Sequence, residues 1–305
     1  MGKSNKVSLF YKLFSLLSVV RGYNILVLVA AQYLAAIFIF SPKKSPRSVV
    51  LDLHLFYIVF ATVCVVAAGY IINNFYDAKV DRINRPIKAK IDSYIKQETK
   101  LSLYFFLNFI GFLTAYLVSY KAAIFFGTYI FGIWFYSHKL KKYPFTGSLT
   151  ATILTILPFF AVFVYFKNFS KIIFVHAIFL FLVIMVREFI KDLESIKGAV
   201  ANNYDTFPVV YGEKRTKQVS IFLLLLTLLP AVILFTYPAI SFMQYYFYFA
   251  AIVLVYVSIS LRKAKTRNQY IRLHTILKLL LLFGILSLIF IDTSLILEKV
   301  IDKLN

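Results

Sequence analysis

Two short stretches of this sequence hold acids and bases at spacings that suit chemistry. In the first, Asn73, Asp77 and Asp81 recur every fourth residue. On a helix they share one face, and two carboxylates at that spacing repel. A hard divalent cation with oxygen ligands relieves that repulsion, and Mg²⁺ typically takes one or two carboxylates together with substrate phosphates. Arg82, Arg85, Lys88 and Lys90 follow at once and offer donors to anionic oxygens. In the second stretch Glu188 and Asp192 are again four apart, with Arg187 and Lys191 beside them, Glu194 two further on and Ser195 next. Acids beside bases at two separate places suit a metal–diphosphate site. The competing reading is a pair of solvated charged segments.

These stretches must be held by elements that the composition identifies. The chain has 305 residues, 61% hydrophobic and 15% charged, with a mean hydropathy of +0.79. Soluble domains are about 45–50% apolar and about 25% charged, so this is an integral membrane protein. The apolar runs are long and unbroken, which predicts helices and not a barrel. Nine spans are expected, roughly Asn24–Phe40, Leu53–Tyr76, Leu101–Ser119, Ala122–Ser137, Ser148–Phe166, Ile172–Ile190, Val219–Ile240, Phe242–Leu261 and Thr275–Ile291. The expected fold is all-α, a bundle of nine transmembrane helices in one domain over residues 1–305, with residues 1–22 as an interfacial segment. Leu9, Phe10, Leu13, Phe14 and Leu17 give that segment an apolar face.

The net charge of +21 follows topology and not nucleic acid. Of the 34 Lys and Arg, 25 fall on the side of the N-terminus, 8 on the other, and Lys278 lies inside the ninth span. The positive-inside rule then puts the N-terminus in the cytoplasm and the C-terminus outside. The protein would be multi-pass, in the inner membrane if the source is bacterial. Nine of the 13 acids sit in two long cytoplasmic loops, Asp77–Lys100 and Arg187–Gln218. Carboxylates contribute little to topology, so this clustering calls for a chemical reason. One cysteine, Cys64, excludes an internal disulfide. No zinc-protease, α/β-hydrolase or P-loop motif occurs. His138 could touch a phosphate; His176 is solitary within a span and reads as a neutral, hydrogen-bonded side chain.

The sequence resembles the UbiA superfamily of intramembrane prenyltransferases over nearly its whole length. That family has nine transmembrane helices and Asp-rich motifs after the second and sixth. Asn73, Asn74, Asp77 and Asp81 occupy the first motif, with Asn74 where an Asp is usual, and Asn84-Arg85-Pro86 follow as expected. Arg21-Gly22-Tyr23-Asn24 resembles the family's Arg-Pro-x-Asn, and Tyr136, Leu140 and Lys141 resemble its Tyr-x-x-x-Leu-Lys. The second motif is similar to that of the branch making archaeal-type ether lipids. Arg187, Glu188, Lys191, Asp192, Glu194, Gly198, Thr206 and Pro208 match it, while Ser195 and Ala199 replace acids.

The resemblance implies a polyprenyl diphosphate donor, a cavity opening to the cytoplasmic side and a hydrophobic acceptor such as a prenylglyceryl phosphate in the bilayer. It implies Mg²⁺ on Asn73, Asp77, Asp81 and Asp192, with Glu188 and Glu194 as further candidate ligands. Asp77, Asp81, Asp192 and Lys141 would be catalytic. Asn24, Asn73, Arg82, Arg85, Lys88, Tyr136, Arg187 and Lys191 would bind substrate. The alternatives are an aromatic prenyltransferase of quinone biosynthesis, an inactive homologue and a transporter.

Overall fold

The computed structural model describes residues 9–291. Lys3, Lys6, Lys299 and Lys303 of the topology count, the first residues of the interfacial segment and the C-terminus lie outside the described residues. Within them the chain is helical. A short helix, α1 (Leu9–Val19), leads into α2 (Gly22–Ala35), which continues as a π-turn over Ala36–Phe40. Then follow α3 (Pro46–Val50), α4 (Leu53–Asn84), α5 (Pro86–Asp92), α6 (Gln97–Val118), α7 (Tyr120–His138), α8 (Pro144–Phe166) and α9 (Lys171–Glu194). The described residues continue with α10 (Ile196–Ala201), α11 (Phe207–Phe235), α12 (Gln244–Lys263) and α13 (Arg267–Ser287).

Among the described residues eight helices are long and apolar enough to cross a membrane. They correspond to eight of the nine expected spans. The fourth, expected at Ala122–Ser137, is the 19-residue helix α7, whose Tyr, Trp and His content keeps it less apolar than the eight.

α4 is the central element. It runs 32 residues, eight past the expected end of its span, so Asn73 to Asp81 lie on one continuous helix. Asp52 caps its start, accepting from the Leu55 amide at 3.1 Å. Its stop is written in the next two residues: Arg85 leaves helical geometry and Pro86 opens α5. Small residues let α6 approach α4 closely: a Cβ on Gly111 would meet Val65 at 2.9 Å and Cys64 at 3.2 Å.

Inside the bundle, polar groups repair broken backbone. Pro158 in α8 leaves the Leu154 carbonyl without its helical donor, and the Tyr129 hydroxyl supplies one at 3.0 Å. Gln32, buried on α2, donates to the Pro158 carbonyl at 2.8 Å and to Thr62 at 3.2 Å. His176 bonds the Ile172 carbonyl at 2.9 Å through Nδ1 and packs its edge on Phe247.

At one end of the bundle the two acid-bearing segments are clasped together. Asn84 at the end of α4 donates to the Ser195 carbonyl at 3.3 Å and accepts from the Gly198 amide at 3.1 Å. A Cβ at Gly198 would lie 2.3 Å from the Asn84 amide nitrogen, so this approach needs glycine.

Candidate active site

Asn73, Asp77 and Asp81 stand on one face of α4 because they are one helical turn apart. Facing Asn73 and Asp77 is Lys141, in the single 3₁₀ turn between α7 and α8. Its ammonium lies 2.5 Å from Asp77 and 3.4 Å from the Asn73 carbonyl oxygen. The rings of Tyr76 and Tyr204 flank it at 5.7 and 5.9 Å. Burial holds the Lys141 ammonium below the ordinary lysine range, and Asp77 acts in the opposite sense. The Tyr204 phenol is pushed up to about 12, by burial first and then by Asp77 and Asp81.

Asp192 comes from α9. The Ser148 hydroxyl, at the start of α8, donates to it at 3.1 Å. Among the described residues no cation lies within 4.0 Å of Asp192, because neighbouring Lys191 turns to Glu188 at 2.5 Å. The Asp192 side chain is half-buried. Half-buried Tyr136, near the end of α7, lies within electrostatic reach of Asp77, Glu188, Lys191 and Asp192.

The other expected site residues separate into distinct groups. Glu188 is buried between Lys191 and Arg187, the latter at 3.4 Å. Glu194 is not with Asp77 and Asp81. It is buried among Arg85 at 3.1 Å, His274 at 3.5 Å and Arg267 at 3.6 Å, and so joins α9 to α5 and α13. Two residues beyond Asp192, it leaves α9 on a different face. Arg82 is exposed. Asn24 donates to the Tyr70 hydroxyl at 3.5 Å. His138 stacks on Trp134 and packs edge-to-face with Tyr76.

Asn74 and Lys88 belong to a network that sequence reasoning missed. Its centre is Asp92, 3% exposed, which accepts from Ser18 of α1 and from Asn74, each at 2.7 Å, and from Lys88. Lys100, also buried, donates to Asn74 at 2.8 Å. Asn74 therefore points away from Asp77, and its amide is needed because one end donates to a carboxylate and the other accepts from an ammonium. Asp92→Ala would leave Lys100 and Asn74 buried without that partner. It is expected to cost about 3 kcal/mol of stability, read as thermal unfolding in detergent. An unchanged unfolding temperature would sink that assignment.

Do these residues fit a divalent cation? The Asn73 carbonyl and the two carboxylates are hard oxygen donors, and the structure already sets a positive charge, Lys141, among them. Among the described residues no three His, Cys, Asp or Glu form a ready-made metal cage.

Fold and site together define a polytopic helical membrane protein with carboxylates and bases carried by α4, α9 and the turn between α7 and α8. The chain belongs to the UbiA prenyltransferase family, whose model matches residues 29–282. It is 30% identical over 167 residues to a digeranylgeranylglyceryl phosphate synthase of Thermococcus sibiricus, covering 54% of this chain and 59% of that protein. It is 28% identical over 193 residues to a synthase of the same name from Sulfurisphaera tokodaii, covering 63% and 66%. The chain thus spans about three-fifths of the length of these curated relatives.

In fold, it matches a solved digeranylgeranylglyceryl phosphate synthase in membranes, with a TM-score of 0.70 at 21% identity, over 91% of this chain and 97% of that one. It also matches a UbiA homologue from Archaeoglobus fulgidus bound to GPP and Mg²⁺, with a TM-score of 0.62 at 15% identity, over 90% and 99%.

Proposed function

We propose that this protein transfers a polyprenyl group from its diphosphate to a phosphate-bearing lipid acceptor, a prenylglyceryl phosphate, with Mg²⁺. The observation that carries the reading is the pairing of Lys141 with Asp77 beside Asn73, on the α4 face that Asp81 shares. The names of the relatives and the second motif's likeness to the ether-lipid branch support the acceptor. The whole chain acts as one membrane unit of nine spans, its N-terminus cytoplasmic, its C-terminus outside and its cavity open to the cytoplasm, as the charge distribution favours.

Asn73, Asp77, Asp81 and Asp192 would hold Mg²⁺, which supplies charge to neutralise the diphosphate as it leaves. Lys141, the cation placed between Asn73 and Asp77, donates to the diphosphate oxygens. Its charge is realised most fully as the allylic C–O bond breaks and the leaving group takes the electron pair. Apolar helices exclude water, which otherwise captures the allylic cation. The acceptor hydroxyl forms the new C–O bond at C1 and gives up its proton to the released diphosphate. Tyr136 and Tyr204 line the space between the acids.

The test is an assay of membranes with radiolabelled geranylgeranyl diphosphate, offering geranylgeranylglyceryl phosphate and dihydroxynaphthoate in parallel, with Mg²⁺ or with EDTA. Product from the glyceryl phosphate that vanishes in EDTA and returns with Mg²⁺ is expected. Product from the ring acid alone would replace the lipid acceptor by an aromatic one. No product from either, with no binding of the diphosphate, would overturn the enzyme reading.

A further inference from the structure

The faces of α1 are the reverse of those on a helix that meets water. Phe10, Leu13, Phe14 and Leu17 are 51–70% exposed. With 3.6 residues per turn these four share one arc of about 100°. Ser15, Ser18 and Val19 lie on another face and turn inward. Ser15 and Val19 are buried, the Ser18 hydroxyl donates to Asp92 at 2.7 Å, and the Tyr11 ring packs on Tyr94 at 5.9 Å. Val19 joins a buried cluster with Ala68, Ile71 and Ile72 of α4 and Tyr104 of α6. Lys12, the one charged residue of the helix, is exposed on the side away from the apolar arc.

The position of α1 indicates the medium that covers this arc. Arg21 takes the left-handed conformation (φ 52°), which breaks the chain between α1 and α2. The membrane span Gly22–Phe40 starts at the next residue. Tyr23 and Leu26 in its first turns are exposed too, so exposed apolar side chains continue across the hinge. The Ser18–Asp92 bond ties α1 to α5, at the end of the bundle that carries the acids. α1 therefore sits where a span emerges, and its 11 residues are too few to cross a membrane. A helix with these faces lies in the plane of the interface, its apolar arc about 5–10 Å into the boundary between headgroups and acyl chains.

We propose that α1 docks in the bilayer interface on the acid-bearing side, through Phe10, Leu13, Phe14 and Leu17, and that this lipid contact braces the first acid segment. The chain of contacts is short. Ser18 meets Asp92, Asp92 accepts from Asn74 at 2.7 Å, and Asn74 adjoins Asn73 on α4. A leaflet that holds α1 in place keeps the Ser18 donor on Asp92 and so orders α5 against α4. The partner is the lipid surface itself.

Nitroxide labels test the docking. Lys12→Cys, Leu13→Cys and Leu17→Cys are made one at a time in a Cys64→Ser background, labelled, and reconstituted in phosphatidylcholine vesicles. The labels at positions 13 and 17 should collide with dissolved oxygen and be shielded from a water-soluble nickel chelate, at a depth of about 5–10 Å. The label at position 12 should stay open to nickel. Equal nickel access at all three positions would put the arc in water and overturn the docking. Shielding from both oxygen and nickel would put protein on the arc and overturn it as well, and spin–spin broadening that disappears on dilution with unlabelled protein would identify a second copy.

Amide exchange in the same vesicles tests the brace. The double variant Leu13→Asp, Leu17→Asp should speed exchange over α5 about 10-fold or more, the range expected for a lost hydrogen bond to a charged group. Unchanged protection of α9 and α11 certifies the fold. Ser18→Ala should have a similar effect, and combining it with the double variant should add little, because both act on one contact. Unchanged α5 exchange in the double variant, or full additivity with Ser18→Ala, would overturn the brace.

Discussion

Asp77→Ala is expected to lower kcat/KM for prenyl transfer by about 10³-fold or more, the loss typical when a group stabilising transition-state charge is removed. Three features set Asp77 apart from the other acids. It is the middle carboxylate-bearing position of the Asn73–Asp77–Asp81 face. It accepts from the Lys141 ammonium at 2.5 Å. It also lies within electrostatic reach of Tyr136 and Tyr204, which come from two other segments of the chain. Removing it costs a cation ligand and leaves buried Lys141 unpaired, which by itself is destabilising. Asp77→Asn keeps the shape and a carbonyl for Lys141, so its unfolding temperature should fall less while its activity is lost. Activity within tenfold of wild type in a folded Asp77→Asn protein would remove Asp77 from the chemistry.

The second large effect concerns Asp192. Asp192→Asn is expected to reduce kcat/KM by about 10²-fold with little change in stability. The amide preserves an acceptor for Ser148, and among the described residues there is no ion pair to break. Glu194→Gln should show the opposite pattern. Glu194 binds Arg85, Arg267 and His274, so its loss should loosen the clasp between α5, α9 and α13 and act mainly on stability. Measuring initial rates and thermal unfolding for both variants separates the two roles. Equal activity losses, each accompanied by equal unfolding, would refute the distinction.

Much of this protein is legible in its sequence for a local reason. Nine apolar stretches are long enough for helices to cross a membrane, and eight of them recover as helices that meet the length and composition needed. The register of Asn73, Asp77 and Asp81 follows from 3.6 residues per turn, and so does their shared face. The clustering of acids beside Arg and Lys marks both segments in the sequence alone. Tyr204 carried no comparable signal, because an aromatic residue in a loop of a Tyr-rich chain has no distinguishing period.

Partner choice could not be read that way. Asn74, adjacent to Asn73, takes the place of an expected acid, yet the structure turns it by one residue's rotation onto Asp92 and Lys100. Glu194 and Asp192 are two residues apart, and only the packing of α9 sends one to Arg85 and His274 and the other to Ser148. Lys278 reads along the sequence as a lone charge near a span end, whereas the packing of α13 on α2 brings its ammonium 5.3 Å from the Tyr23 ring. Local periodicity determines which residues share a helix face. The rotation of each helix about its axis, set by side chains from distant segments, decides what that face meets.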